Sequence, residues 1–182
     1  MQKSLETDRL ILRPLKLSDY AFVRTLHTDP KVMRYIASGP ARSEAQTRES
    51  IQKSLAMKEA NPCLGTWIAE LRETQVTMGT LILRTPATAE KTEGIEIGFI
   101  FAAEHWGKGY ATEASRRLIQ YVHDALGDVR IVALINAANQ ASRNTLQKLG
   151  FKTVGTTEYV NPVGGEVLPS EILEYQTLDP TP

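Results

Sequence analysis

The sequence predicts an α/β fold: one mixed sheet with helices packed on its faces. Three observations carry this. The predicted elements run β α α β β β α β α β β, which is not the regular βαβ alternation of a doubly wound sheet. Residues 129–135, VRIVALI, are apolar on both faces, as a covered central strand is. Residues 94–101, GIEIGFIF, alternate instead: Ile95, Ile97, Phe99 and Phe101 share one face, and Glu96, Gly98 and Ile100 the other.

Each element has its own signal. RLILRPL (9–15) reads as the first strand. Ser18-Asp19 offers a cap for a helix carrying Phe22, Val23 and Leu26, and Pro30 follows its stop. Ser43 and Gln46 have capping-box spacing and open a second helix to about Met57, ended by Asn61-Pro62. Strands follow at 64–71 and 78–84, then a looser stretch, TPATAEKTEG, leads into 94–101. A strong helix comes next, with Ala111, Ala114, Ser115, Leu118, Ile119, Val122, Ala125 and Leu126 on one stripe and Gly127 at its end. After strand 129–135, a short helix spans about Gln140–Leu149, closed by Gly150. Strands near 151–160 and 167–178 form a hairpin across Asn161-Pro162-Val163-Gly164-Gly165.

The 182 residues suit one domain with a real core. Twenty-one basic residues balance 21 acidic ones, which argues against a general nucleic-acid binder. No run approaches membrane-spanning length, and the N-terminus lacks a signal-peptide apolar segment. Cys63 is the only cysteine, so no intrachain disulfide forms and a cytoplasmic location fits. His27, His105 and His123 have no metal-ligand spacing, and no metal is expected.

HWGKGYATEA (105–114) places two glycines, one residue apart, just before a helix. A helix start leaves N–H groups without intrahelical partners and carries partial positive charge, so it suits a phosphate. Glycines let a backbone approach such a ligand closely. The full GxGxxG and the P-loop Gly-Lys-Ser/Thr are both lacking, which counts against two common phosphate folds.

GIEIGFIFAAEHWGKGYATEA, NQASRNTLQKLGF and the opening LETDRLILRPLKLSDY together resemble the GNAT acetyltransferases, in the ribosomal-protein N-terminal acetyltransferase-like (RimJ/RimL-type) branch. The resemblance spans nearly all of 1–182. It implies a single GNAT domain with a mostly antiparallel sheet of about seven strands, splayed after the fourth, and about four helices. It also implies acetyl-CoA as cosubstrate. The pantetheine arm would pair with main-chain groups near Phe101 and Ala102, and the pyrophosphate would sit on the N–H groups of Gly107, Lys108, Gly109, Tyr110, Ala111 and Thr112. The Lys108 side chain either adds charge there or is a solvated surface lysine. Trp106 departs from the Gln or Arg that usually begins this turn.

Asn139 matches the family asparagine that contacts the cosubstrate arm or the incoming amine; helix N-capping is its other reading. Asn144 either faces the arm or lies on the surface. Position 146, where many members carry a tyrosine acid, is Leu146 here. The branch instead places a serine at 142, one helical turn away, where a hydroxyl stabilises the developing thiolate or simply serves the helix. Glu96 is the leading general base, acting directly or through water with its pKa raised by partial burial; an orienting carboxylate is the alternative.

The expected reaction is direct acetyl transfer to a primary amine in a ternary complex. The acceptor is a protein N-terminus, as the branch implies, or a small amine such as an amino sugar, polyamine, amino acid or antibiotic. Its pocket draws on residues 30–45 and 158–170. A non-catalytic acyl-CoA sensor is the rival from another class. A monomer or homodimer is expected, with no nucleic acid or membrane partner.

Overall fold

The computed structural model describes residues 4–36, 41–86, 93–160 and 167–176. Its centre is an eight-stranded sheet in the order β1-β2-β3-β4-β5-β6-β8-β7. The strands are β1 (Leu5–Glu6), β2 (Leu10–Pro14), β3 (Gly65–Leu71), β4 (Thr77–Arg84), β5 (Ile95–Phe101), β6 (Ile131–Asn136), β7 (Phe151–Val160) and β8 (Val167–Tyr175). Among the described residues five α-helices accompany them: α1 (Tyr20–Thr28), α2 (Pro30–Met33), α3 (Glu44–Ala60), α4 (Tyr110–Leu126) and α5 (Gln140–Lys148).

Alternation divides the core in two. Leu81 and Leu83 of β4 and Ile95, Ile97 and Phe101 of β5 pack with Ala114, Leu118, Ile119 and Val122 of α4. On the other face Leu15, Val23, Ile51 and Ile68 form a second cluster beneath α1 and α3. The α4 stripe stops one turn early, since Leu126 is 41% exposed.

Local chemistry explains most boundaries. The Ser43–Gln46 capping box forms in both directions and starts α3, which runs on to Ala60 before Asn61 caps it. The sequence reading needs one correction. Asp19 supplies no cap to α1; its carboxylate accepts from Arg13 and from the Lys16 N–H instead. Pro30 follows the stop of α1 at Thr28 as expected, and it also opens the short α2, because Asp29 accepts from the Lys31 N–H and proline suits a first helical position. The β7–β8 pairing is present, while the turn at 161–165 lies outside the described residues.

All neighbouring strands are antiparallel except β5 and β6. That parallel pair is in register only at Ile95–Ile131 and Glu96–Val132. Beyond this point β6 stays paired with β8 on its other edge through Asn136, and a wedge opens between β5 and β6.

Candidate active site

The wedge continues into a cavity of about 1360 Å³. Ile97–Phe101 of β5 and Ala133–Asn136 of β6 line it, as do α5 residues and the turn before α4. The N–H of Ala102 runs to the Met78 carbonyl of β4. In an antiparallel ladder the pairing direction alternates, so main-chain groups of Phe99 and Phe101, not those of Ala102, face the wedge. The expectation for Ala102 is corrected accordingly, and Ala102 does not line the cavity among the described residues. The Phe101 carbonyl already accepts the Trp106 indole N–H at 2.7 Å. Trp106, half exposed, thus ties the glycine turn to the end of β5.

Gly107 and Gly109 both have positive φ, +74° and +79°, so the turn requires the left-handed backbone that glycine adopts freely. Nothing lies within 4 Å of a Cβ built on Gly107. Gly109 is the N-cap of α4 and brings no side chain to the orphan N–H groups of the first turn. Gly107, Gly109, Tyr110, Ala111 and Thr112 all line the cavity. The arrangement fits a pyrophosphate: a bare helix start, glycines in place of side chains, and an opening wedge beside it. Lys108 is exposed and outside the lining; only its carbonyl is engaged, by Arg9 Nη1 at 3.0 Å.

From α5, Ser142 and Leu146 both face the cavity, with Leu146 buried. The Asn139 side chain caps α5 by accepting from the Ser142 N–H at 3.1 Å, and Asn139 lines the cavity as well. Its capping role is therefore compatible with a ligand contact. Asn144 is not brought in. It is exposed, accepts from Gln140 Nε2 at 2.7 Å, and lies outside the lining. Thr145, not anticipated, lines the cavity but spends its hydroxyl on the Ala141 carbonyl at 3.0 Å.

Glu96 is 3% exposed and lines the cavity on the face opposite α4. Arg84 stands directly across on β4 and donates to Glu96 Oε1 at 2.5 Å. Burial opposes the Arg84 charge, but Glu96 more than compensates and holds the guanidinium above its usual pKa. Glu96 is thus an anchored carboxylate rather than a loosely buried one.

Behind Arg84 lies a group that the sequence did not reveal. His27 is buried between Thr47 and Arg42. An arginine only donates, so His27 Nε2 accepts from Arg42 Nη1 and Nδ1–H donates to Thr47. Burial first, then the Arg42 and Arg24 charges, push the His27 pKa down to about 3. Burial also lowers the Arg42 pKa, as does the Arg84 charge, while Tyr159 acts in the opposite sense. Only an antiparallel pairing of 78–84 with 94–101 could have signalled in sequence that Arg84 stands beside Glu96. Arg42 and Tyr159 join through tertiary folding alone. No cluster of metal-binding side chains occurs among the described residues.

A sheet that opens beside a phosphate-fitting helix start, with an anchored carboxylate and a serine in the same cavity, is the arrangement that the acetyltransferase resemblance implies. The model of the acetyltransferase (GNAT) domain matches residues 9–152, and the chain belongs to that family. It is 34% identical over 151 residues to the uncharacterized N-acetyltransferase YoaA of Bacillus subtilis (strain 168), covering 83% of this chain and 84% of that protein. Its fold is similar to that of the ribosomal-protein-S5-alanine acetyltransferase from Vibrio fischeri, with a TM-score of 0.75, 18% identity and full coverage of both chains. It is also similar to the spermidine N-acetyltransferase from Vibrio cholerae in complex with CoA and spermine. There the TM-score is 0.72 and the identity 20%, over 92% of this chain and 95% of that one.

Proposed function

We propose that this acetyltransferase moves the acetyl group of acetyl-CoA to a primary amine by direct attack in a ternary complex. The observation that carries the reading is a single cavity that joins the glycine turn, the wedge, Glu96 and Ser142. Acetyl-CoA supplies an activated thioester. The N–H groups at the start of α4 hold its pyrophosphate, and the free main-chain edge of β5 aligns its arm.

A protonated amine has no lone pair with which to attack, so a proton must leave it. Glu96 is the carboxylate that takes this proton, directly or through water, and Arg84 fixes its position. Ser142 donates a hydrogen bond to the sulfur as charge develops, where Leu146 has nothing to donate. A sensor without turnover would not need Glu96 and Ser142 to share the cavity with the turn.

The neighbours are named for a protein alanine and for spermidine, so likeness of fold leaves both a protein N-terminus and a small amine as acceptors. Two measurements test the reading. CoA and dephospho-CoA are expected to raise the melting temperature by mass action, and NAD is not. Thiol release from acetyl-CoA is then followed with a panel of amines. A shift with NAD and none with CoA, or no turnover with any amine, refutes the proposal.

A further inference from the structure

We propose that the acceptor is a small amino acid, whose carboxylate is bound by Arg42 beside Arg84. The inference rests on the acetyltransferase reading and names its substrate class.

The cavity is unbalanced in charge. Among the described residues Lys31, Arg34, Arg42, Lys53, Arg84 and Lys148 line it, against a single carboxylate, Glu96. Lys148 is on α5 beside the wedge, where a phosphate-bearing cosubstrate accounts for a cation. Arg42 and Arg84 are elsewhere, on the face of the sheet opposite α4. Glu96 ion-pairs with Arg84, and no carboxylate of the described residues lies within ion-pair distance of Arg42. The Nε of Arg84 is also buried without a hydrogen-bond partner. Glu96 thus answers the charge of Arg84, while Arg42 has no carboxylate partner among the described residues, and a largely buried charge of that kind is costly unless a ligand completes it.

Arg42 is also held in place. Its N–H donates to the His27 carbonyl at 2.9 Å, its carbonyl accepts from Arg24, and its Nη1 donates to neutral His27. This order exists before any ligand arrives, which lowers the cost of binding an anion. A planar guanidinium matches the two oxygens of a carboxylate.

The position of the charges selects the size of the acceptor. Arg84 touches Glu96 directly, and Arg42 lines the same cavity on the same face of the sheet. The carboxylate site is thus on the side of the cavity that holds the base. An amino acid carries its carboxylate one carbon from its amine, whereas a peptide N-terminus carries its first carboxylate only at the end of a side chain. A polyamine would set a second ammonium against Arg42 and Arg84.

The test compares matched acceptors with the wild-type protein: amino acids, their carboxamides, the corresponding amines without the carboxyl group, spermidine, and peptides with Asp in second position. Amino acids are expected to exceed their carboxamides at least tenfold in kcat/KM. Arg42→Met is expected to abolish that preference and Arg42→Lys to restore part of it, with CoA affinity unchanged by calorimetry. Turnover that favours the carboxamide, spermidine or the acidic peptide overturns the inference and leaves the acetyltransferase reading intact. CoA binding with no turnover of any acceptor refutes both. The wild-type series decides the matter even if Arg42→Met fails to fold.

Discussion

The Arg9 guanidinium and the Glu113 carboxylate, 104 positions apart, meet at 2.6 Å at the foot of α4. The same carboxylate accepts from the Thr7 hydroxyl at 2.6 Å and the Arg9 N–H at 3.0 Å. Arg9 also lies over the Tyr110 ring at 4.5 Å and donates to the Lys108 carbonyl. The turn between β1 and β2 therefore braces the glycine turn from outside the cavity.

Arg9→Ala is accordingly expected to weaken CoA binding several-fold while changing stability by about 1 kcal/mol or less, because the pair is partly exposed. Burial opposes the Glu113 charge, yet Thr7 and Arg9 hold its pKa below the ordinary 4.5. A lowered carboxylate pKa stabilises the fold above the unfolded value and loses that contribution as pH falls. Wild type should therefore lose its margin over Glu113→Gln below about pH 4.5, as followed by chemical denaturation across pH.

The two glycines of the turn should respond differently. A Cβ at Gly107 meets nothing, so Gly107→Ala carries only the strain of positive φ, about 1 kcal/mol. At Gly109 a side chain is strained by the φ of +79°, its Cβ touches Arg9 at 3.6 Å, and a branched one stands on the helix start proposed to hold the pyrophosphate. Gly109→Val is expected to reduce acetyl-CoA affinity by more than tenfold in a folded protein, checked by calorimetry alongside circular dichroism.

Ser142 and Thr145 offer an internal control for thiolate stabilisation. The Thr145 hydroxyl is committed to its own helix, whereas that of Ser142 makes no hydrogen bond among the described residues. Ser142→Ala should lower kcat on the order of tenfold to several hundredfold with little change in KM for acetyl-CoA. Thr145→Val should leave kcat near wild type. Equal effects in the two variants would reduce Ser142 to a helix residue.

His27 predicts an acid sensitivity. Its pKa falls from 6.5 unfolded to about 3 folded, so the unfolded chain binds the extra proton first. The fold therefore keeps its full stability above pH 6.5 and loses it progressively as pH falls toward 3, by a total on the order of 5 kcal/mol. His27→Gln should flatten stability against pH in this window, as measured by urea titration.

Where neighbouring residues decide a feature, the sequence was readable. Ser43 and Gln46 fixed the start of α3 by spacing, and the alternation in 94–101 alone separated Glu96 from the stripe that faces α4. The errors arose where tertiary partners outbid local ones. Asp19 left its capping role for Arg13, and Asn144, correctly placed on α5, turned out to face away from the cavity. Arg42, Tyr159 and His27 gave no local signal, because their shared position depends on α1, the approach to α3 and β7 converging on one patch.

The two-residue join between β5 and β6 has a mechanical consequence. Within the sheet, β1 to β5 join β6, β8 and β7 only at Ile95–Ile131 and Glu96–Val132, while one hydrophobic core with α4 runs beneath both parts. A molecule laid along the β5 edge fills the gap between the two parts as mortar would. With acetyl-CoA along that edge, as proposed, amide exchange at Phe99 and Phe101 is expected to slow while the cosubstrate is bound and to quicken after the product leaves.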